Sequence, residues 1–155
     1  MKVNTKSITL ASMIGALYAA FTILLAPWSY GPIQVRIAEA LTVLPFIFPQ
    51  AIPGLFAGCM IANIWGGYGP LDIFGGSAIT LIAGFTTYYL RKFDRVWLAP
   101  VPPVLFNALG IGYILHIVAD VPYWLTVLQV GVGQIIACAG IGIPLLLLLK
   151  KRFNL

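Results

Sequence analysis

The side chains best suited to binding a polar molecule lie in residues 34–45, where an arginine and an acid are close together. Arg36 and Glu39 are three residues apart, in a chain of 155 residues that has only four acidic side chains. Such a pair can form charge-assisted hydrogen bonds with a small polar ligand. Two simpler interpretations stay open. Arg36 contacts a lipid phosphate at the membrane surface, or Glu39 forms an ion pair with Arg36 that only fixes the loop.

The remaining acids divide into two groups. Asp94 lies among basic residues, as expected for a solvated loop charge. Asp72 and Asp120 each lie next to an apolar run, as Glu39 does. His116 is four residues before Asp120, so the two share a helix face and simply pair in the plainest interpretation.

The sequence carries no pattern typical of an enzyme. One histidine and two separated cysteines, Cys59 and Cys138, do not make a usual metal site, and both cysteines lie in apolar runs, where we interpret them as packing residues. There is no nucleophile elbow, and the glycine pairs lack a P-loop lysine. We therefore expect no enzymatic activity, no metal and no cofactor.

The composition predicts an integral membrane protein. Apolar residues make up 61% of the chain and charged residues 8%, against about 25% charged residues in soluble domains. A span needs roughly 20 apolar residues, so this length accommodates about six spans with short loops. The net charge of +5 then reflects topology and attraction to anionic lipid, and we expect no nucleic-acid binding.

Six helices account for the apolar runs. Prolines make the second and third helices short or broken, with a turn around Pro49, and Ser7 is a plausible N-cap of the first. The predicted spans are about 8–26, 37–49, 52–65, 71–89, 104–119 and 123–149.

The basic residues orient this bundle. Eight of the nine lie on one side of the six-span threading, which the positive-inside rule makes cytoplasmic together with both termini. Arg36 is the exception and lies at the outer side, with Glu39, Asp72 and Asp120. The cytoplasmic eight are Lys2, Lys6, Arg91, Lys92, Arg95, Lys150, Lys151 and Arg152.

Two further features suggest function. Residues 65–70, Trp-Gly-Gly-Tyr-Gly-Pro, form a glycine-rich outer loop that could cover a ligand, or only an interfacial aromatic belt. In the first helix, Ala16 and Ala20 have small-xxx-small spacing, and Ala11, Gly15 and Ala19 form an adjacent row. Each row is either an internal helix contact or a docking face for a separate membrane subunit.

These residues also carry a family resemblance. Gln34-Val35-Arg36-Ile37-Ala38-Glu39-Ala40-Leu41 with Leu44-Pro45, and residues 63–77 with Thr80-Leu81, resemble the signature of the queuosine-precursor transporter (QueT) family. The resemblance covers nearly the whole chain. It implies an all-α bundle of six transmembrane helices, a single substrate-binding domain over residues 1–155, and the substrate-binding S component of an energy-coupling factor (ECF) importer in the bacterial cytoplasmic membrane.

The resemblance also implies a ligand and partners. The ligand is 7-aminomethyl-7-deazaguanine, bound at the outer face, and the partners are membrane lipid, a transmembrane coupling subunit and two ATPases. Docking is implied through Ala16 and Ala20. Glu39 and Asp72 would take the guanine-like edge and the ammonium group, in either order. The other implied contacts are Gln34, Arg36, Asn63, Trp65 and, in the second rank, Asn107 and His116.

Three alternatives remain at this point. Asn107 and Gln134 lie in apolar spans, where an amide also serves as interhelical glue. The chain could be an S component for another vitamin-like molecule. It could also be a stand-alone small channel or facilitator, although such a protein has no reason to keep a small-residue row facing lipid.

Overall fold

The protein, represented by a computed structural model, is described over residues 4–29 and 35–153, and every regular element in these residues is helical. Lys2 and Gln34, both part of the sequence predictions, lie outside these ranges. The α-helices are α1 Thr5–Leu24, α2 Ala26–Ser29, α3 Ala51–Gly66, α4 Ser77–Leu90, α5 Val101–Ala119, α6 Tyr123–Gln134 and α7 Gly142–Phe153. A 3-10 helix, Ile37–Phe46, precedes α3, and two short 3-10 turns, Arg91–Phe93 and Val96–Leu98, connect α4 to α5.

Two wide, π-helical segments extend the later helices. Leu71–Gly76 runs directly into α4, and Ile135–Ile141 joins α6 to α7. The resulting continuous helices are long and apolar enough to cross a membrane, as α1 is. The four candidate spans in the described residues are Thr5–Leu24, Leu71–Phe93, Val96–Ala119 and Tyr123–Phe153.

The second and third predicted helices are present but short. Ile37–Phe46 has 10 residues and α3 has 16, so both fall below the length of an ordinary span. The chain turns between them at 47–50, around Pro49 as the prolines predict. Large exposed apolar side chains cover the outside of the bundle, as expected of a surface that faces lipid; examples are Leu24, Leu128 and Trp124.

The start of α1 differs from the prediction. Asn4, rather than Ser7, is the N-cap, and its side-chain Oδ1 accepts a hydrogen bond of 2.8 Å from the backbone N–H of Ser7. Asn and Ser are comparable caps, so the sequence alone does not separate the two sites. The helix therefore begins about one turn earlier than predicted.

The Ile37–Phe46 segment is a 3-10 helix because its backbone has competing partners. The carbonyl oxygen of Glu39 accepts hydrogen bonds from the Thr42 hydroxyl at 2.6 Å and the Cys138 thiol at 3.3 Å. Pro45 has no N–H to donate within the helix. Two side chains, one of them from a distant part of the chain, thus bind a backbone oxygen that an α-helix would pair internally.

The closest helix packing joins α1 to α3. A Cβ added to Gly15 would lie 2.6 Å from the carbonyl oxygen of Gly54, and one added to Gly58 would lie 2.5 Å from the carbonyl oxygen of Gly15. A Cβ on Gly54 would collide with the carbonyl oxygen of Ala11. Small residues therefore let the two backbones touch.

Two predicted cytoplasmic segments meet at one end of the bundle. The Nζ of Lys150, near the C-terminus, lies 2.9 Å from Oδ1 of Asp94 in the loop after α4. Phe48, in the turn before α3, packs edge-on against Phe153, with ring centroids 5.7 Å apart. The basic loop, the C-terminal helix and the Pro49 turn thus share one end of the bundle.

Candidate functional site

A buried polar network links the start of the 3-10 helix to the end of α3. Arg36 donates from its guanidinium Nη1 to Oδ1 of Asn63 at 3.1 Å and from Nε to the carbonyl oxygen of Ser29 at 3.3 Å. Asn63 in turn donates from Nδ2 to the backbone oxygen of Asp72 at 2.9 Å. Arg36, Asn63 and Asp72 are 4%, 0% and 1% exposed. The network therefore holds a guanidinium and a carboxyl side chain away from solvent and lipid.

Glu39 lies in the adjoining part of the network. The Tyr18 hydroxyl donates to its Oε1 at 2.5 Å, and the Asn107 amide Nδ2 donates to its Oε2 at 3.0 Å. Gln134 lies beside the same carboxyl group. Both oxygens of Glu39 therefore accept hydrogen bonds from donors within the protein. Three helices, α1, α5 and α6, thus converge on one buried acid.

A few buried polar atoms in this region have no hydrogen-bond partner in the described chain. They include both carboxylate oxygens of Asp72 and Oδ1 of Asn107, as well as the Ser29 hydroxyl. Leaving such groups unpaired is costly, so they are uncommon in folded proteins. Three of the four are acceptors only, and they can bind a ligand that brings N–H donors.

The π-helical segment places Asp72. Leu71–Gly76 follows a loop in which Gly67 and Gly69 have φ values of +74° and +92°, a conformation that favours glycine. Behind Asp72, a Cβ added to Gly76 would lie 2.7 Å from Nδ2 of Asn63 and 3.3 Å from Oδ1 of Asp72. The glycine therefore gives both side chains room.

Both cysteines belong to this network rather than to apolar packing alone. Cys138 donates to Oε1 of Gln134 at 3.2 Å and to the carbonyl of Glu39, while Cys59 accepts from the Thr80 hydroxyl at 3.4 Å. Both are free thiols and are buried.

The structure brings together five of the predicted binding residues, namely Arg36, Glu39, Asn63, Asp72 and Asn107. It places two others at the surface. The side chain of Trp65 is 65% exposed. His116 is exposed, and its Nδ1 lies 2.6 Å from the carbonyl oxygen of Val121 rather than pairing with Asp120. Gln34 lies outside the described residues.

Tyr18 is the main site residue that the sequence analysis missed. It is fully buried between Ile14 and Thr22, each one helical turn away and also buried. A tyrosine in the middle of an apolar first helix, in the same row as a threonine, is the signal that could have identified it. A buried tyrosine hydroxyl needs a hydrogen-bond partner.

The two small-residue rows of α1 have different environments. Ala11, Gly15 and Ala19 face the interior contact with α3, whereas Ala16 and Ala20 are exposed. Ala16 lines a groove of about 340 Å³ between α1 and α3, whose walls are mostly small side chains. One row is thus an internal helix contact, and the other is open to a neighbour in the membrane.

Comparison with known proteins identifies the family. The family model for the QueT transporter matches residues 8–151. The chain belongs to the QueT transporter family. A queuosine precursor transporter QueT from Lactococcus lactis subsp. cremoris (strain MG1363) is 29% identical to this QueT-family chain, over 99% of the chain and 98% of that relative. No solved structure matches significantly.

The family and the fold together establish the broad biological context. This QueT-family chain is a multi-pass protein of the cell membrane, and the part of it that the structure describes contains four apolar helices that can span a bilayer. The family to which it belongs is one of transporters.

Proposed function

We propose that the protein is the S component of an ECF importer that binds 7-aminomethyl-7-deazaguanine at the outer face of the membrane. It delivers the ligand inward after docking to a coupling subunit that carries two ATPases. The bundle crosses the membrane six times, with both termini cytoplasmic, and the two short helices are supported by their neighbours.

The buried polar network is the observation that carries this proposal. Asp72, near the start of the Leu71–Phe93 helix, lies at the opposite end of that helix from Asp94, and the network contains one guanidinium and two carboxyl groups. The guanidinium balances the charge of one carboxylate, and a ligand with one positive charge would balance the other. Each charge-assisted hydrogen bond contributes roughly 1.5–3 kcal/mol, enough for a few such bonds to give tight binding.

The exposed row on α1 supports the partner half of the proposal. A stand-alone facilitator gains nothing from small side chains that face lipid, whereas a partner helix can approach closely at Ala16 and Ala20. This row favours a docking protein over a stand-alone channel.

Two measurements test the proposed function. Native mass spectrometry of protein purified from its own membranes should detect a retained ligand with the mass of 7-aminomethyl-7-deazaguanine. The same preparation should contain a membrane subunit and ATPases. Calorimetric titration of the isolated protein should then give saturable binding of that compound. A retained vitamin of another class, or no binding of the deazaguanine, would contradict the proposal.

Substitution of Gly76 offers a test of the site itself. In Gly76→Ala the added methyl group meets Nδ2 of Asn63 and forces it away from Asp72. Moving the Asn63 amide disturbs the site around Asp72, so we expect ligand affinity to fall about tenfold or more, which corresponds to about 1.4 kcal/mol.

A matched variant controls for the general effect of adding a methyl group to a helical glycine. At Gly131 the nearest atom to an added Cβ is the Cβ of Ala108, at 3.6 Å, so Gly131→Ala should leave affinity unchanged. Equal ligand affinities in folded Gly76→Ala and Gly131→Ala proteins would show that the network is not part of the binding site.

A further inference from the structure

The two buried acids have different surroundings, and the difference assigns them different roles. We propose that Asp72 binds the cationic amine of the ligand directly, and that Glu39 is a positioning residue that does not contact it. This inference rests on the proposed function and goes beyond it, because the family and the composition leave the order of the two acids open.

Glu39 is already engaged within the protein. Its two oxygens accept from Tyr18 at 2.5 Å and from Asn107 at 3.0 Å, and Gln134 lies beside it. These donors already occupy most of the roughly four acceptor positions of the carboxylate, so a ligand ammonium group that used it with more than one N–H would displace one of them and leave it buried without a partner. Such a loss is unfavourable, so the more stable arrangement keeps Glu39 where it is.

Asp72 has the opposite environment. Its side chain is 1% exposed, yet neither carboxylate oxygen has a hydrogen-bond partner in the described chain. Its backbone oxygen is held by Asn63, and Gly76 leaves space beside its Oδ1. The backbone of Asp72 is therefore fixed, while its carboxylate oxygens remain available to a ligand. A buried carboxylate whose oxygens accept no hydrogen bond from the described chain attracts a cation with N–H donors more strongly than any neutral group.

Asn107 connects the two roles. The Nδ2 of Asn107 donates to Glu39, so the unpartnered Oδ1 of the same amide points away from Glu39. Asn107 lies on α5, one helical turn before Ile111, whose side chain lies 3.4 Å from the Cβ position of Gly76. Glu39 thus fixes which end of the Asn107 amide is an acceptor for the ligand. By this reasoning Glu39 affects affinity for any ligand with an N–H donor, charged or neutral.

The charge of the ligand separates the roles experimentally. We would titrate the full-length protein with 7-aminomethyl-7-deazaguanine and with the 7-cyano compound, which has a neutral nitrile in place of the amine. The measured quantity is the ratio of the two dissociation constants in wild type, Asp72→Asn, Glu39→Gln and Tyr18→Phe. A partial folding defect changes both constants equally and leaves their ratio unaltered.

For Asp72→Asn we expect the aminomethyl compound to lose about a hundredfold or more in affinity, because the ammonium loses its buried partner. The cyano compound should lose less than about fivefold. Glu39→Gln and Tyr18→Phe should change the affinities for both compounds by the same factor, because neither substitution alters a group that contacts the amine.

Three results would overturn the inference. A selective loss of the aminomethyl compound in Glu39→Gln would make Glu39 the partner of the amine. Equal losses of both compounds in Asp72→Asn would mean that Asp72 only shapes its loop. If the wild type binds neither compound, the proposed function fails and the inference fails with it, whereas wild-type binding with a selective Glu39 defect refutes the inference alone.

Discussion

A leucine at position 54 should prevent the bundle from assembling. In Gly54→Leu the new Cβ collides with the backbone oxygen of Ala11, and Gly15 beside it has no side chain that could move aside. Overpacking a core that can relax costs about 1–3 kcal/mol, and here backbone must separate from backbone, so we expect a loss of at least about 3 kcal/mol. The monodisperse fraction on size exclusion and the melting temperature in detergent measure this effect.

The control for Gly54→Leu is the same substitution at an open glycine. A Cβ on Gly140 would meet nothing within 4 Å, and the residue is exposed. Gly140→Leu should therefore give wild-type yield and melting temperature. A Gly54→Leu protein that remains as stable as Gly140→Leu would show that α1 and α3 are not packed backbone to backbone.

Tryptophan at both Ala16 and Ala20 should abolish uptake while leaving ligand binding intact. The two alanines are exposed on α1, so larger side chains at these positions block close approach of a partner helix. We expect ATP-dependent uptake by vesicles containing the complete transporter to fall by at least about tenfold. A loss of that size needs only about 1.4 kcal/mol of lost docking free energy.

Ile82→Trp is the matched control for this prediction. Ile82 is 51% exposed on α4, so the variant adds the same side chain to a different lipid-facing helix. It should transport and bind as wild type does. Normal uptake in the Ala16→Trp, Ala20→Trp double variant, with equal protein in the membrane, would exclude this row as the docking face.

Much of the fold follows from the sequence because membrane insertion imposes simple rules. The lengths of the apolar runs predict the order of the helices. The positions of Pro45, Pro49 and Pro53 predict that the second and third helices are short. Hydrogen bonds between a helix backbone and residues far away in the sequence were not predictable. The backbone oxygen of Glu39, in the 3-10 helix Ile37–Phe46, accepts a hydrogen bond from Cys138, which is 99 residues further along the chain.

The candidate site was predictable by residue type but not by arrangement. Arg36, Glu39 and Asp72 stand out because charges are rare in an apolar chain, and the structure places all three in one buried region. The thiols do not stand out, since cysteine is common in apolar helices, and the only signal for Tyr18 is a hydroxyl that needs a hydrogen-bond partner within an apolar helix. Their participation depends on how helices far apart in the sequence meet. The same limit applies to α1, where spacing identified two small-residue rows but not which one faced inward.

One turn of α1 combines a residue of the buried polar network with residues of the exposed small-residue row. Tyr18 is fully buried and bonded to Glu39, while Ala16 and Ala20 on the same turn are exposed. A helix moves largely as a rigid rod, so displacement of this one by a neighbour also moves the Tyr18 hydroxyl. If such displacement changes ligand affinity by some factor, thermodynamic linkage requires the ligand to change affinity for the neighbour by the same factor. The ligand-free and ligand-bound proteins would then differ in their affinity for a shared partner, and Tyr18→Phe would reduce that difference.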